Sequence, residues 1–213
     1  QRRFVFACLA PAVILVALFM FWPTVNVFRM SMYRMGGITN RKEFIGLQNF
    51  KTLMEDKNFL EAMQNTILII VMVMIFTIVF AILFAAILQR GKFKGKNFFR
   101  VIFYIPNILS IVVIGGIFGA IYDPSNGLLN TFLEAVHLDF LTHKWMGEPK
   151  IVIYSIIFAL VWQAIGYYMV MYMSGMSAIP EDLYEAASLD GSSEINTFFT
   201  VTLPLIWTNI RTT

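Results

Sequence analysis

Polar positions are unevenly distributed along this 213-residue chain. Apolar residues run in long blocks that hold no Asp, Glu, Lys, Arg or His: Phe4 to Trp22 (19 residues), Thr66 to Leu88 (23), Val101 to Tyr122 (22) and Ile151 to Ile179 (29). A bilayer's hydrocarbon core is about 30 Å thick and takes about 20 helical residues at about 1.5 Å each. The pattern therefore predicts four membrane-spanning helices in an all-α, polytopic bundle. A fifth block begins near Leu203 and is cut off at Thr213, so a longer chain is expected. Buried core helices of a soluble protein would show an amphipathic stripe and rarely reach these lengths. A secretory leader is another reading of the first block, because Arg2 and Arg3 precede it. Its length and the lack of a small-residue cleavage site at Trp22-Pro23 favour an uncleaved span.

The polar stretches between blocks have patterns of their own. Leu47, Phe50, Leu53 and Met54 fall at helical spacing opposite Lys51, Glu55 and Asp56, which predicts a short helix lying on the membrane surface. Asp123-Pro124-Ser125-Asn126-Gly127 carries turn chemistry and is followed by a candidate short helix from Leu128 to Val136. Gln89 to Arg100 contains five basic residues in twelve and no acid, the signature of a loop retained in the cytoplasm. That places the amino terminus and residues 180–202 inside, and residues 24–65 and 123–150 outside. The outer 24–65 segment also holds six basic residues among four acids, and the density at 90–100 decides the orientation.

Composition narrows the function classes. Only 14% of residues are charged, against about 25% in soluble domains, and the net charge is +3. The basic residues flank spans, so nucleic acid is not an expected partner. Cys8 is the sole cysteine, which excludes an internal disulfide and a cysteine-cluster metal site. His137 and His143 lack the spacing of a metal site and are read as solvated; no metal is expected. No G-x-x-x-x-G-K-[ST] occurs, and no Ser-His-Asp arrangement lies near a span, so neither ATP binding nor catalysis is expected of this chain. The four complete spans contain no ionisable acid, base or histidine, which argues against a proton-coupled carrier.

Candidate path residues lie in two spans. Gln163, Tyr167, Val170 and Ser174 recur on one helical face, with Trp162, Tyr168 and Tyr172 nearby, a lining suited to a neutral sugar. Asn107 and Ser110 stand beside the helix-weakening Pro106. Each of these residues also suits plain interhelical packing, as do Gly115, Gly116 and Gly166, and the sequence leaves both roles open.

The most unusual stretch runs from Pro180 to Pro204. Pro180-Glu181-Asp182 reads as a helix start, with Pro at the first helical position and carboxylates in the first turn. The helix runs to about Leu189, Gly191 supplies a left-handed residue that stops it, and Ser192 or Ser193 caps a second helix. Ala186 and Ala187 leave little bulk on a face shared with Leu183 and Asp190, while Asp182 and Glu185 form an acidic rim. A helix-break-helix of this kind predicts a docking element.

Glu185-Ala186-Ala187, three residues, Gly191, nine residues and Val201-Thr202-Leu203-Pro204 resemble the EAA motif of inner-membrane permease subunits of binding-protein-dependent ABC importers, with Val201 where the family has Ile. Gly46-Leu47-Gln48-Asn49-Phe50, Asn65-Thr66, Phe98-Phe99-Arg100 and Gly127-Leu128-Leu129-Asn130 are similar to signatures of the sugar-permease branch. The resemblance implies a six-span fold, of which four spans and the start of a fifth are present. It also implies a second permease subunit, a cytoplasmic ATPase dimer that binds ATP and Mg²⁺, an extracytoplasmic solute-binding protein, and a sugar or similar polar solute. Location in a bacterial inner membrane follows in the same way. Glu185, Ala186, Ala187, Asp190, Gly191, Leu203 and Pro204 would form the ATPase-coupling element. A self-sufficient carrier or channel and a membrane scaffold are the competing readings.

Overall fold

A computed structural model describes residues 2–35, 42–90 and 95–212. These fall into two compact units, Gln1–Gln64 and Asn65–Thr213. Gly91 to Lys94 of the basic loop, and Thr213 at the end of the fifth block, lie outside the described residues.

In the first unit, α1 (Arg2–Val16) passes through a π-helical turn (Ala17–Phe21) into α2 (Trp22–Ser31). The helix therefore continues well past the expected end at Trp22-Pro23. Pro23 has no N–H for the carbonyl four residues back, and its ring crowds that turn. The π turn just before it, closed by the Trp22 N–H on the Ala17 carbonyl, absorbs the misfit without ending the helix. Two strands follow, β1 (Tyr33–Met35) and β2 (Lys42–Phe44), paired antiparallel with Tyr33 opposite Phe44. No strand was expected here. The surface helix expected around Leu47 is α3 (Gln48–Glu55). Asn49 Nδ2 donates to the carbonyls of Ser31 and Tyr33 at 2.7 and 3.2 Å, which fastens α3 to the end of α2.

The 34-residue α4 (Lys57–Arg90) carries the second apolar block into the larger unit. Its small Ala81 and Ala85, with Leu88, pack against Met169, Tyr172 and Met176 of α8 (Val152–Ser177), and all six are almost wholly buried. Alanines one turn apart let a second helix approach closely in lipid, where packing rather than hydrophobic exclusion drives association.

The third block is not one continuous span. It is divided into α5 (Lys96–Ile108) and α6 (Ile111–Ile121), bent by 104° at the break. Pro106 removes the N–H that would bond Ile102, and the backbone then turns extended at Leu109 and Ser110. The Ser110 hydroxyl accepts the Val113 N–H at 3.4 Å and so caps the new helix. Among the described residues, three helices are long and apolar enough to cross a membrane; the bent pair makes a fourth if it counts as one broken span.

After α6 come α7 (Leu128–Ala135), at the expected place, and a single 3₁₀ turn before α8. Beyond α8 lie α9 (Glu181–Leu189), α10 (Glu194–Thr197), a π turn (Phe198–Thr202), α11 (Leu203–Leu205) and α12 (Trp207–Arg211). The second π turn precedes Pro204 by the same two-residue offset that separates the first from Pro23. The same missing N–H accounts for both.

Candidate functional site

The segment following α8 is a sharp elbow. Pro180 is the N-cap of α9 rather than its first helical residue, extended at φ −57° and ψ 137°. Glu181 and Asp182 stand in the first turn, where the helix dipole favours carboxylates. At the other end, the Ser192 N–H bonds the Ala187 carbonyl at 2.9 Å and the Gly191 N–H bonds Ser188 at 3.1 Å. This is the Schellman arrangement, and it requires the left-handed φ of +74° found at Gly191. Of the two candidate caps, Ser193 does the work: its hydroxyl accepts the Asn196 N–H at 3.3 Å. Ser192 instead joins the buried Thr197 hydroxyl, at 3.0 Å.

The two arms of the elbow are tied together. Tyr184 on α9 and Thr202, 1% exposed, share a hydroxyl–hydroxyl hydrogen bond of 3.2 Å. Tyr184 directly precedes Glu185-Ala186-Ala187 and Thr202 directly precedes Leu203-Pro204, so the bond links the two motif stretches. The sequence marks Thr202 only as part of the Val201-Thr202-Leu203-Pro204 motif and Tyr184 not at all, because nothing local signals a contact between residues 18 apart. The tip projects: Leu189 is 89% exposed and Ile195 74%, with Glu185, Ala186 and Asp190 also exposed around them. Ala187 and Leu203 are half-buried. These side chains make an exposed apolar patch with an acidic rim.

At the root of the elbow, Ser174, Ala178, Pro180, Leu183, Leu205 and Asn209 line an open cleft of about 400 Å³. Ser174 therefore belongs to the elbow's surroundings. Gln163 is half-buried and Tyr167 exposed farther back along α8, while Asn107 and Ser110 flank the α5–α6 break. The structure does not gather these five residues into one cavity. A second cleft, of about 490 Å³, is lined by none of them; its walls include Phe118, Tyr122, Tyr154, Phe158 and Trp162. Among the described residues, no cluster of His, Cys, Asp and Glu could hold a metal ion. His143, expected to be solvated, is half-buried and pairs through Nδ1 with Glu148 at 3.4 Å.

The model of the family described as "Binding-protein-dependent transport system inner membrane component" matches residues 77–213, which hold the elbow, α8 and the α5–α6 break. The chain belongs to this family. It is therefore a membrane-embedded permease component of a transport system rather than an enzyme. It is 36% identical over 197 residues to "Probable ABC transporter permease protein YurN" of Bacillus subtilis (strain 168), an alignment covering 92% of this chain and 67% of that one. It is 29% identical over 185 residues to "Diacetylchitobiose uptake system permease protein NgcF" of Streptomyces coelicolor, covering 83% and 52%. Its fold is similar to a chain of a crystal structure described as a bacterial alginate ABC transporter in complex with an alginate pentasaccharide-bound periplasmic protein. That match has a TM-score of 0.83 at 26% identity and covers 97% of this chain and 68% of that one.

Proposed function

We propose that the chain forms half of the translocation path of an ATP-driven carbohydrate importer and takes its motion from a separate ATPase through residues 180–204. The observation that carries the coupling part is the elbow itself. Two helices are locked at a fixed angle by Gly191, joined by Tyr184 and Thr202, and present exposed Leu189 and Ile195 beside uncovered carboxylates. A rigid projection of this kind can pass a push to α8, whereas a flexible loop would dissipate it. In this reading Glu185, Ala186, Ala187, Asp190 and Gly191 seat in a groove of the ATPase, and Leu203 and Pro204 anchor the return arm. The ATPase dimer holds ATP and Mg²⁺, and this chain binds no cofactor.

The carbohydrate assignment rests on the relatives, whose names include a diacetylchitobiose system and an alginate transporter. Gln163 and Tyr167 on α8, Asn107 and Ser110 at the break, and Ser174 nearer the elbow supply amide and hydroxyl groups along the path, the chemistry a neutral sugar needs. A second permease subunit completes the path, and a solute-binding protein delivers the sugar from outside. The amino terminus and the elbow lie on the cytoplasmic side, in accord with the basic Gln89–Arg100 stretch. Competing readings as a lone carrier or scaffold are not favoured by the family membership.

Purification from membranes tests the proposal. The tagged chain is expected to bring down an ATPase and a second permease, and the reconstituted assembly to take up labelled oligosaccharide only with ATP. Uptake by the chain alone, driven by an ion gradient without ATP, would contradict it.

A further inference from the structure

The Gly127-Leu128-Leu129-Asn130 stretch has no part in the coupling element, yet the structure gives it a definite task. Gly127 is buried at the N-cap of α7, where an added Cβ would stand 2.2 Å from the Asp123 carbonyl oxygen. Three residues on, the buried Asn130 reaches across the loop. Its Nδ2 donates to the His143 carbonyl at 3.1 Å; its Oδ1 accepts the Trp145 indole N–H at 2.7 Å and the His143 N–H at 3.4 Å. Trp145 then stacks on Tyr122 with ring centroids 6.1 Å apart, and its carbonyl accepts the Ser155 hydroxyl at 2.9 Å. The Ser155 carbonyl in turn accepts the Tyr122 hydroxyl at 3.2 Å. Tyr122 at the C-cap of α6, Trp145 and Ser155 in the first turn of α8 thus close a ring through two hydrogen bonds and a ring stack, and Asn130 ties α7 to it.

This ring stands at the opposite end of α8 from the elbow. With 26 residues, α8 is about 39 Å long. Along its length it is held at two further points. Gly166 meets the α5 backbone at Phe103, and Gly175 meets the Asn209 side chain, where an added Cβ would lie 2.9 Å from Nδ2. A helix gripped at both ends and crossed in the middle moves as one piece.

We infer that Asn130 is a positioning residue for transmission: it makes the 123–151 loop a rigid extension of α8, so that a protein pressing on that loop moves the elbow at the far end. The inference rests on the importer reading above and names the side chain through which a docked solute-binding protein is sensed. Asparagine suits the task because one side chain offers both a donor and an acceptor to the same backbone strip. A buried amide in a satisfied network is costly to replace by an apolar group, since its partners are left unpaired.

The test uses the complete transporter with its sugar-loaded solute-binding protein, and compares wild type with Asn130→Ala, Asn130→Asp and Trp145→Phe. Asn130→Ala is expected to raise amide hydrogen exchange across residues 128–150 by about tenfold and to lower binding-protein-stimulated ATPase on the order of tenfold. Basal ATPase and assembly stay at wild-type levels. Asn130→Asp keeps the acceptor for Trp145 and is expected to recover part of the stimulation. Trp145→Phe keeps a ring but loses the N–H, so combining it with Asn130→Ala should cost little more than Asn130→Ala alone. Unchanged loop exchange in Asn130→Ala, full stimulation despite a loosened loop, or loss of basal activity in step with assembly would each overturn the transmission role. A wild-type complex that its binding protein fails to stimulate would contradict the importer reading itself.

Discussion

Gly166 of α8 lies so close to Phe103 of α5 that a Cβ at position 166 would stand 1.8 Å from the Phe103 carbonyl oxygen. The obstacle is backbone, so no side-chain rotation relieves it. Gly166→Ala must push the two helices apart along their crossing, and overpacking of this sort costs about 1–3 kcal/mol or more. The expected outcome is a lower melting temperature of the purified protein and reduced uptake, with membrane insertion retained. Thermal unfolding followed by tryptophan fluorescence in detergent checks it. Gly115, where an added Cβ meets nothing within 4 Å, serves as the control and should accept Ala with little change.

Gly191 makes the opposite case. An added Cβ there has open space around it, but φ is +74°. The demand is purely conformational, so the rank order of substitutions is the test. Asn visits the left-handed region readily, Ala costs about 1 kcal/mol, and β-branched Val costs more. Uptake is expected to fall in the order Gly, Asn, Ala, Val, with Gly191→Val nearly inactive although inserted. Equal uptake by Val and Asn variants would remove the elbow angle from the mechanism.

Gln163 is half-buried on the α8 face that includes Tyr167. If it contacts the solute, Gln163→Leu lowers transport several-fold or changes the preference among sugars while the ATPase still assembles. Competition uptake with a panel of labelled sugars measures this. Unchanged kinetics across the panel would reduce the amide to helix packing.

The Asp123 carboxylate is held below the ordinary carboxylate range, first by the Asn126 N–H and then by the Ser125 N–H, each 2.9 Å from Oδ1. A group whose folded pKa is depressed stabilises the fold fully above its unfolded pKa, and that contribution is lost as pH falls through the folded value. Protection of the Ser125 and Asn126 amides is therefore expected to stay level from pH 7 to about 5 and to decline only below about 4. Asp123→Ala should show the loosened turn at every pH, read by hydrogen exchange.

Much of the scaffold was legible before the structure. Apolar blocks of about 20 residues report their own span because a lipid environment forces backbone groups to pair within the segment. The elbow was legible for a related reason: Gly191 and the serine cap act over three or four residues, so local chemistry specifies them. Pro106 was visible as a weak point, but the 104° bend was not, because it depends on Ser110 taking over as a cap after the break. The β1–β2 pair and the reach of Asn49 and Asn130 escaped as well. Tyr33 pairs with Phe44 across the residues between them, and the two asparagines reach partners 13 to 18 residues away; no periodicity encodes such contacts. Ser174 shares a helical face with Gln163, yet about three turns of helix carry it to the root of the elbow.

Site-directed cross-linking from the elbow tip tests the central claim most directly. With Cys8 replaced, Leu189→Cys places a single thiol at the most projecting apolar position. In the intact transporter it is expected to cross-link to the ATPase subunit, in a yield that changes when ATP is added, and to resist membrane-impermeant thiol reagents applied from outside. A thiol that outside reagents modify, or that reaches no ATPase in an assembly active for uptake, would contradict the account.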